Sequence, residues 1–358
     1  MQILKNSEKY TVFKVSNSKK TFVLKVSNRS PNKILREVRH IQKLKNSSEF
    51  LKKKIPTIIS YGKVKRGINK NRGYYKMEFI KGPTLSDIFQ KNLLNKNLKQ
   101  KLFDRLSITL INETRKSSLT KKNSFNRLKH LINSEYKKIL DKDIYKNLLN
   151  RKKILINNRI FLNISSCLEI ILKSKKIKDL GKNYKYISTN NHWNYHGGNI
   201  IIPKCKVQNL KIIDPDSSWK FNDPFFSLAR LVYTFPHDTM EYDKYYLISP
   251  DFFRKNRKKP ISFQIKYKWK QNIKKNYEII FKNFFENFNK KNTFKEKLNY
   301  EEFLRFNISL ILCFLRGINA NHEPKINFLL DKSNNFQNKG LYLYLFFLIY
   351  LNNFTKAL

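Results

Sequence analysis

The sequence predicts an α+β protein in which a small antiparallel sheet is followed by a larger and mostly helical region. Up to residue 80 the chain holds short runs of β-favouring residues, and after Pro83 apolar residues recur at the spacing of an α-helix. Hydrophobic residues make up 41% of the chain, which is typical of globular proteins. We therefore predict two lobes, an N-terminal one over residues 1–80 and a C-terminal one over residues 81–358.

The N-terminal lobe is predicted to begin with a β-hairpin and a helix. Residues 10–15 and 21–26 are β-rich, and a polar segment over residues 16–20 joins them. Pro31 suits the first turn of the helix that follows. One face of this helix carries apolar residues, namely Ile34, Leu35, Val38, Ile41 and Leu44.

A second antiparallel pair is predicted to complete this lobe. Pro56 ends the helical region, and residues 57–65 and 74–80 are again β-rich, with residues 66–73 as the turn between them. Gly82-Pro83 then interrupts the pattern, so we place the end of the lobe just before it.

The C-terminal lobe is predicted from stripes of apolar residues at helical spacing. The stripes are Leu85, Ile88 and Phe89; Leu98, Leu102, Phe103, Leu106 and Leu110; Leu128, Leu131 and Ile132; Phe161, Ile164, Leu168 and Ile171; Ile273, Tyr277, Phe281, Phe284 and Phe288; and Phe303, Phe306, Leu310 and Phe314. Thr84 or Ser86 can cap the first of these helices. A last helix follows Gly340, and its apolar run over residues 341–351 is too short to cross a bilayer. No transmembrane segment is therefore predicted.

The net charge is far from balanced. Lysine and arginine total 74 against 26 acidic residues, which gives a formal charge of +48. A charge of this size attracts polyanions. Because no basic run is interleaved with aromatic residues as in a known nucleic-acid module, most lysines are interpreted as solvated helix faces. Nucleic acid and an anionic membrane surface are partners that the charge alone would allow.

The cysteines and the N-terminus indicate a cytoplasmic protein, with a peripheral place at a membrane left open by the charge. Cys167, Cys205 and Cys313 lie far apart and are interpreted as reduced thiols in or near the core. The first eight residues contain no apolar signal core.

The residues that carry chemistry are grouped after residue 190. A chain with only nine glycines places two together at Gly197-Gly198, directly before Asn199. Asp214 follows a second β-rich run, so a hairpin would bring Asn199 and Asp214 together at one end. An amide oxygen and a carboxylate are ligands suited to Mg²⁺.

This stretch resembles the aminoglycoside phosphotransferase and choline kinase family, relatives of the protein kinases. Residues 192–199 read His-Trp-Asn-Tyr-His-Gly-Gly-Asn, and the family's loop reads roughly His-Gly-Asp-x-His-x-x-Asn. The resemblance implies a protein kinase-like fold with the catalytic and metal loop over residues 188–216. It also implies that ATP and Mg²⁺ are bound, with Asn199 and Asp214 holding the metal.

The N-terminal lobe supplies the remaining parts of this resemblance. Lys25, on an apolar strand, matches the lysine that holds the nucleotide phosphates, and Glu37 matches the glutamate that orients it. Residues 75–82 resemble the segment between the lobes, where backbone groups near Glu78 and Ile80 would meet the adenine. Further on, residues 223–229 resemble a segment that is structural in the family, with Ser227 in place of an acid.

Two departures from the family pattern bear on activity. No glycine precedes Gly62, so residues 6–9 would have to serve in place of a glycine-rich loop. Asn194 stands where the family has its catalytic aspartate, and an asparagine can accept a hydrogen bond but cannot take the substrate's proton.

Several side chains near the loop have two interpretations. His192 and His196 would either replace the base or brace the loop, and bracing fits the family pattern better. Asp216 would either join the metal ligands or, as its position favours, cap a turn or contact the substrate. Trp193 and Trp219 would either line the site or pack in the interior, and packing is the more common role.

Three functions stay open at this stage. The first is an ATP- and Mg²⁺-dependent phosphotransferase that acts on a hydroxyl of a small molecule such as a sugar, an amino alcohol or a polysaccharide precursor. An anionic acceptor would suit the charge. The second is a catalytically inactive pseudokinase that serves as a nucleotide-binding or scaffold protein. The third is a basic polyanion-binding protein on a kinase-like fold.

Overall fold

The structure is a computed structural model. It describes residues 1–358 apart from 19, 29, 66, 68–70, 92, 116–118, 124, 184, 188–193, 216–222, 224, 242–244, 250, 251, 253–260, 268–297, 325, 326 and 329–334. His192, Trp193, Asp216, Trp219 and the predicted stripe over residues 273–288 lie outside the described residues.

By internal packing the chain divides into two compact units. The first comprises Met1–Leu93 and Thr189–Lys220, and the second comprises Leu94–Ser188 and Phe221–Leu358. The loop predicted over residues 188–216 therefore groups with the N-terminal sheet, although the sequence analysis placed it in the lobe that begins at residue 81. The reason is backbone pairing, because the Ile202 amide donates to the Pro83 carbonyl at 2.9 Å.

The first unit is built on a five-stranded antiparallel sheet in the order β1-β2-β3-β5-β4. The strands are β1 (Gln2–Asn6), β2 (Tyr10–Ser16), β3 (Thr21–Ser27), β4 (Ile58–Lys63) and β5 (Gly73–Glu78). Both predicted antiparallel pairs, β2 with β3 and β4 with β5, are present. Strand β1 was not predicted, because all five of its residues are exposed and no buried face marks it in the sequence.

Helix α1 (Pro31–Ser47) packs on this sheet as predicted. It begins at the cap residue Ser30, whose side chain accepts a hydrogen bond from the Asn32 amide. Ile34 and Val38 form a buried cluster with Tyr75 of β5. A side chain at Gly73 would collide with the backbone of Pro31 at 2.7 Å, so a glycine is needed where the start of β5 meets the start of α1.

Three further elements complete the first unit. They are α2 (Glu49–Lys54), α3 (Leu85–Gln90) and a hairpin that joins β10 (Ile200–Ile201) to β11 (Lys211–Ile212). Thr84 and Asp87 form a capping box at the start of α3, which selects Thr84 from the two predicted caps. An isolated bridge pairs Thr84 with Ile201, so the segment after β5 is bound to this hairpin.

The second unit is mostly helical. Its helices are α4 (Lys96–Arg115), α5 (Phe125–Leu140), α6 (Asp143–Leu149), α7 (Ile164–Lys173), α8 (Lys175–Asn183), α9 (Phe225–Glu241), α10 (Tyr300–Ala320) and α11 (Lys339–Ala357). A buried ion pair joins Asp223, just before α9, to Arg305 of α10 at 3.1 Å. Asp223 also accepts a hydrogen bond from the Phe225 amide, and Ser227 is fully buried, so this segment is structural as expected.

The second unit also contains a sheet that the sequence analysis did not predict. Its order is β14-β15-β12-β13-β7-β8, and a separate pair joins β6 to β9. The strands are β6 (Leu119–Asn123), β7 (Lys153–Ile156), β8 (Arg159–Leu162), β9 (Lys185–Ile187), β12 (Tyr245–Ile248), β13 (Ile261–Tyr267), β14 (Asn327–Phe328) and β15 (Asn335–Gln337). These strands are short, and β13 pairs in parallel with β7, more than a hundred residues earlier in the chain. Pairing over such a distance leaves no local pattern.

Two residues of the predicted helical stripes are placed differently. Phe161 lies in β8 because the helix that follows begins only at Ile164. Leu98 lies in α4 but is 48% exposed, whereas Leu102, Leu106 and Leu110 of the same stripe are buried. The predicted fold class is confirmed, with an antiparallel sheet unit and a mostly helical unit.

One described helix, α10, is long and apolar enough to span a membrane by length and composition. In the structure 83% of its apolar window is buried within the protein, as in the core helix of a folded domain. The apolar run over residues 341–351 lies inside α11, where almost every side chain is buried.

Candidate active site

Lys25 and Glu37 form a buried ion pair in the first unit. Lys25 lies in β3 and is 4% exposed, and Glu37 lies on the face of α1 that packs against the sheet. The Lys25 Nζ atom is 2.8 Å from the Glu37 Oε1 atom. The same oxygen accepts a hydrogen bond from the Tyr75 hydroxyl at 2.7 Å. The two predicted partners are thus in contact.

Lys25 also contacts Asp214. Its Nζ atom lies 2.7 Å from Asp214 Oδ1, so one ammonium group connects a helix carboxylate with the carboxylate that follows β11. Burial acts to lower the pKa of Lys25. Tyr75, Asp214 and Glu37 act in the opposite direction and together hold that pKa well above the usual value for lysine. Lys25 is therefore a cation at physiological pH.

The backbone of Asp214 is in an uncommon conformation. Its φ angle is +54°, in the left-handed region that residues with side chains rarely adopt. Two hydrogen bonds fix the chain on either side of this angle. The Ile213 amide donates to the Asn199 carbonyl at 2.9 Å, and the Asn194 side-chain amide donates to the Asp214 carbonyl at 3.0 Å.

Asn199 lies in a short 3-10 turn over Gly197–Asn199 that His196 caps. The Nδ1 atom of His196 accepts a hydrogen bond from the Gly198 amide at 3.2 Å, which is the bracing role predicted for a loop histidine. The Asn199 Nδ2 atom donates to the Asn194 carbonyl at 3.3 Å. The amide oxygen of Asn199 has no hydrogen-bond partner within the described part of the chain.

Asn199 and Asp214 fit a hard divalent cation. The nitrogen of Asn199 is already engaged, so its oxygen is the atom left for a ligand. The Asp214 side chain is about one-third exposed, which leaves its carboxylate accessible. A neutral amide oxygen beside a carboxylate is a donor set suited to Mg²⁺.

These groups line a cavity of about 340 Å³. This volume is in the range of small-molecule sites. The wall is largely apolar and also includes a few polar groups. Among the lining residues are Leu4, Val12, Val23, Met77, Ile201 and Ile213, together with Lys25, Asn199 and Asp214. An apolar cavity that also presents a lysine and oxygen ligands for a metal has the chemistry to bind a flat base together with phosphates.

The segment after β5 forms another wall of the cavity. Ile80 lines it, and neither the amide nor the carbonyl of Ile80 makes a backbone hydrogen bond among the described residues. The Glu78 amide is already used, because it donates to the Thr57 carbonyl at 2.9 Å. Of the two residues predicted to meet the adenine, Ile80 thus has a main-chain amide without a partner among the described residues, and Glu78 does not.

The turn between β1 and β2 occupies the place of the missing glycine-rich loop. The Ser7 hydroxyl donates to the Tyr10 carbonyl and accepts from the Tyr10 amide, and Asn28 donates to the Ser7 carbonyl at 2.6 Å. The Tyr10 ring lies in the cavity, with its centroid 4.2 Å from the Lys25 Nζ atom. A hydroxyl and an amide therefore close this turn without glycine.

Tyr10 and Tyr75 are site residues that the sequence analysis missed. For Tyr75 a signal existed, because the antiparallel register places it directly opposite Lys25. That signal needs the pairing of β3 with β5, which a single strand's pattern does not reveal. For Tyr10 the sequence carries no such signal.

A scan against protein-family models and a search of curated proteins gave no match. Among solved structures, the chain is similar to spectinomycin phosphotransferase APH(9)-Ia, determined in complex with ADP and spectinomycin. The identity is 14%, the match covers 100% of this chain and 93% of that one, and the TM-score is 0.46.

Two further structures give similar values. Aminoglycoside phosphotransferase APH(4)-Ia matches at 10% identity over 89% of this chain and 85% of that one, with a TM-score of 0.45. Choline kinase from Cryptosporidium parvum Iowa II matches at 16% identity over 99% and 88%, with a TM-score of 0.39.

Proposed function

We propose that the chain is a phosphotransferase that uses ATP and Mg²⁺ to phosphorylate a hydroxyl group of a small molecule. The observation that carries this proposal is the Lys25 ammonium, which is held between the carboxylates of Glu37 and Asp214 and belongs to a residue that lines a largely apolar cavity. A buried lysine is costly unless paired. A lysine paired with a carboxylate, together with an asparagine and an aspartate that could hold Mg²⁺, is a combination that kinases use in phosphoryl transfer.

Each residue has a role in this proposal. Ile80 would hydrogen-bond the adenine through its free main-chain amide, and Lys25 would contact the phosphates while Glu37 and Tyr75 keep it in place. Asn199 and Asp214 would hold Mg²⁺, which when bound neutralises charge on the phosphates. The ion pair between Lys25 and Asp214 has to loosen for this, so nucleotide and metal should bind together more strongly than either does alone.

The acceptor is proposed from charge. A chain with a formal charge of +48 would repel a cationic acceptor and attract an anionic or phosphorylated one. We therefore propose an acidic or phosphorylated sugar, amino alcohol or polysaccharide precursor rather than an aminoglycoside.

Asn194 favours a second candidate, a nucleotide-binding protein without transfer activity. An asparagine cannot act as a general base, and loss of general-base catalysis typically costs about 10²–10⁴-fold in rate. Because positioning and charge stabilisation dominate phosphoryl transfer, slow turnover is still compatible with asparagine.

Thermal unfolding with ATP tests the shared part of both candidates. We expect ATP with Mg²⁺ to raise the melting temperature, ATP without Mg²⁺ to raise it less, and Asp214→Asn to lose the Mg²⁺-dependent part. Saturation at a hundred times Kd would add about 2.7 kcal/mol of stability, a shift of several degrees. Asp143→Asn serves as the control, because Asp143 is an exposed residue of the second unit.

The outcomes separate the candidates. Wild-type protein that shows no shift with ATP and Mg²⁺ would contradict both. A shift together with ADP release that depends on an anionic hydroxyl acceptor would support the phosphotransferase, and a shift without acceptor-dependent release would favour the nucleotide-binding protein.

A further inference from the structure

Asn194 is joined to both proposed metal residues by its own hydrogen bonds. Its side-chain Nδ2 atom donates to the backbone carbonyl of Asp214 at 3.0 Å, and its backbone carbonyl accepts from the Asn199 side chain at 3.3 Å. The Ile213 amide closes the ring by donating to the Asn199 carbonyl at 2.9 Å. Asn194 is thus part of the support of the metal site.

The direction of the first bond decides which residue can make it. A carbonyl oxygen only accepts, so its partner at residue 194 has to donate. An asparagine amide donates, whereas an ionised aspartate is an acceptor only. An aspartate at this position would therefore set two electronegative oxygens about 3 Å apart in place of a hydrogen bond.

Asp214 depends on such support because of its backbone. Its φ angle of +54° is uncommon, and residues in sparsely populated regions persist only where the surroundings over-determine them. A rotation of this peptide would move the Asp214 carboxylate away from Lys25, which it now contacts at 2.7 Å.

We propose that Asn194 is a positioning residue whose side-chain amide holds the Asp214 backbone so that its carboxylate faces Lys25 and the metal. Only the effect on metal binding rests on the proposed function; the support of the Asp214 backbone does not depend on it. In this chain asparagine at residue 194 is then a requirement of the site, and restoring the aspartate of the related family would weaken metal binding rather than improve catalysis.

The first test needs no ligand. Urea unfolding would compare wild type with Asn194→Asp, Asn194→Ala and the control Asn32→Asp. Asn32 is exposed in the first turn of α1, where an added negative charge is favourable. Any added aspartate also reduces the net charge of +48 and the repulsion that comes with it. Asn32→Asp should therefore leave stability unchanged or raise it. We expect Asn194→Asp to be less stable than Asn194→Ala, because it adds repulsion to the lost hydrogen bond.

The second test measures the metal. In thermal unfolding with ATP, Asn194→Asp and Asn194→Ala should need about tenfold more Mg²⁺ for half of the full shift, given the energy of one hydrogen bond. The smaller shift with ATP alone should stay as in wild type, because the adenine contact at Ile80 is unchanged. A purely structural role would lower both shifts together.

The two tests distinguish a failure of the role of Asn194 from a failure of the proposed function. If ATP and Mg²⁺ do not stabilise wild type, the proposed function fails and the urea comparison still decides the role of Asn194. The inference is overturned if Asn194→Asp is as stable as wild type, if its Mg²⁺ dependence is unchanged, or if it gains turnover, which would identify residue 194 as a disabled base.

Discussion

Lys25 is a buried lysine with two carboxylate partners. Each of these charges changes the free energy needed to bury the other two. Glu37 alone would neutralise the ammonium within the first unit, and the Tyr75 hydroxyl further satisfies the shared Oε1 atom. Burial raises the pKa of Glu37, and the adjacent ammonium opposes that shift. Asp214 adds a second negative charge from a part of the chain 189 residues away. A site built only for stability would avoid this concentration of buried charge.

Substitutions at Lys25 and Glu37 should distinguish the contribution of their buried charges to folding stability from their contribution to binding ATP with Mg²⁺. Lys25→Met leaves the Glu37 charge buried without its cation and should destabilise the protein by about 3–5 kcal/mol. The double variant Lys25→Met with Glu37→Gln removes both charges and keeps an acceptor for Tyr75, so it should recover more than half of that loss. Neither variant should be stabilised by ATP with Mg²⁺. Urea unfolding with and without the ligand measures both effects.

The pH dependence of this pair follows from the raised pKa of Lys25. A raised folded-state pKa gives stability that is complete below the unfolded lysine value of about 10.4 and is lost as pH rises through the folded value. The stability difference between wild type and the double variant should thus stay constant from about pH 7 to 9. Lys33→Met, at an exposed position of α1, is the control. A difference that falls steadily across this range would contradict a charged Lys25.

At the scale of elements, the β1–β2 turn and the β10–β11 hairpin form two walls of the same cavity. Tyr10, the first residue of β2 after the turn, lines the cavity, and the hairpin contributes Ile201 and, just after β11, Asp214. Gly82 lies against Pro203, where a side chain would approach the Pro203 Cα atom to 2.9 Å, so the segment after β5 packs closely on the hairpin. Short elements held by backbone contacts thus support the residues of the site.

Tyr10 provides a prediction for the turn. Its ring contacts the Lys25 ammonium, the group that the phosphates of a nucleotide would need. A cation–π contact is worth about 0.5–2 kcal/mol, so Tyr10→Ala should lower stability by roughly that amount. It should also tighten ATP binding several-fold, because the phosphates no longer compete with the ring. Tyr10→Phe, which keeps the ring, is the control and should leave both unchanged. Weaker ATP binding in Tyr10→Ala would show that the ring supports the nucleotide instead.

At the scale of the whole molecule, the charge has consequences of its own. With 74 basic and 26 acidic residues, at least 48 basic residues cannot have an acidic partner of their own, since 74 minus 26 is 48. Like charges at this density repel each other within the folded state. Nucleic acid and an anionic membrane surface stay partners predicted from this charge alone, and the cytoplasmic location stays a prediction from the cysteines and the N-terminus.

The salt dependence of stability tests the balance between repulsion and ion pairs. Raising NaCl from about 20 to 200 mM shortens the screening length from roughly 20 to 7 Å. This weakens both the repulsion between like charges and the attraction within ion pairs. Basic residues far outnumber acidic ones, so repulsion between like charges should outweigh the attraction within ion pairs. We therefore expect the free energy of unfolding to rise over this range. Heparin, a polyanion, should also raise the free energy of unfolding at low salt, and this stabilisation should disappear at high salt. Stability that falls with NaCl would mean that ion pairs such as Arg115 with Glu302 dominate.

The sequence by itself determined the local elements and the order of the site residues. The β2–β3 hairpin, helix α1 and the turn around Gly197-Gly198 each follow from residues near in the chain, through alternation, helical spacing or glycine. Lys25, Glu37, Asn199 and Asp214 were placed by strand position and by motif, which are also local features. The structure brings Lys25 together with Glu37 as these features indicate, and it adds a contact between Lys25 and Asp214 that they did not predict.

Only the tertiary structure decided how those residues are connected. The register of β3 against β5 places Tyr75 beside Lys25, and the left-handed backbone of Asp214 makes the Asn194 amide a support. The six-stranded sheet of the second unit likewise depends on pairing between distant segments. Local periodicity records which side of an element is buried. It does not record which distant carbonyl an amide will meet, because that contact exists only once the chain is packed.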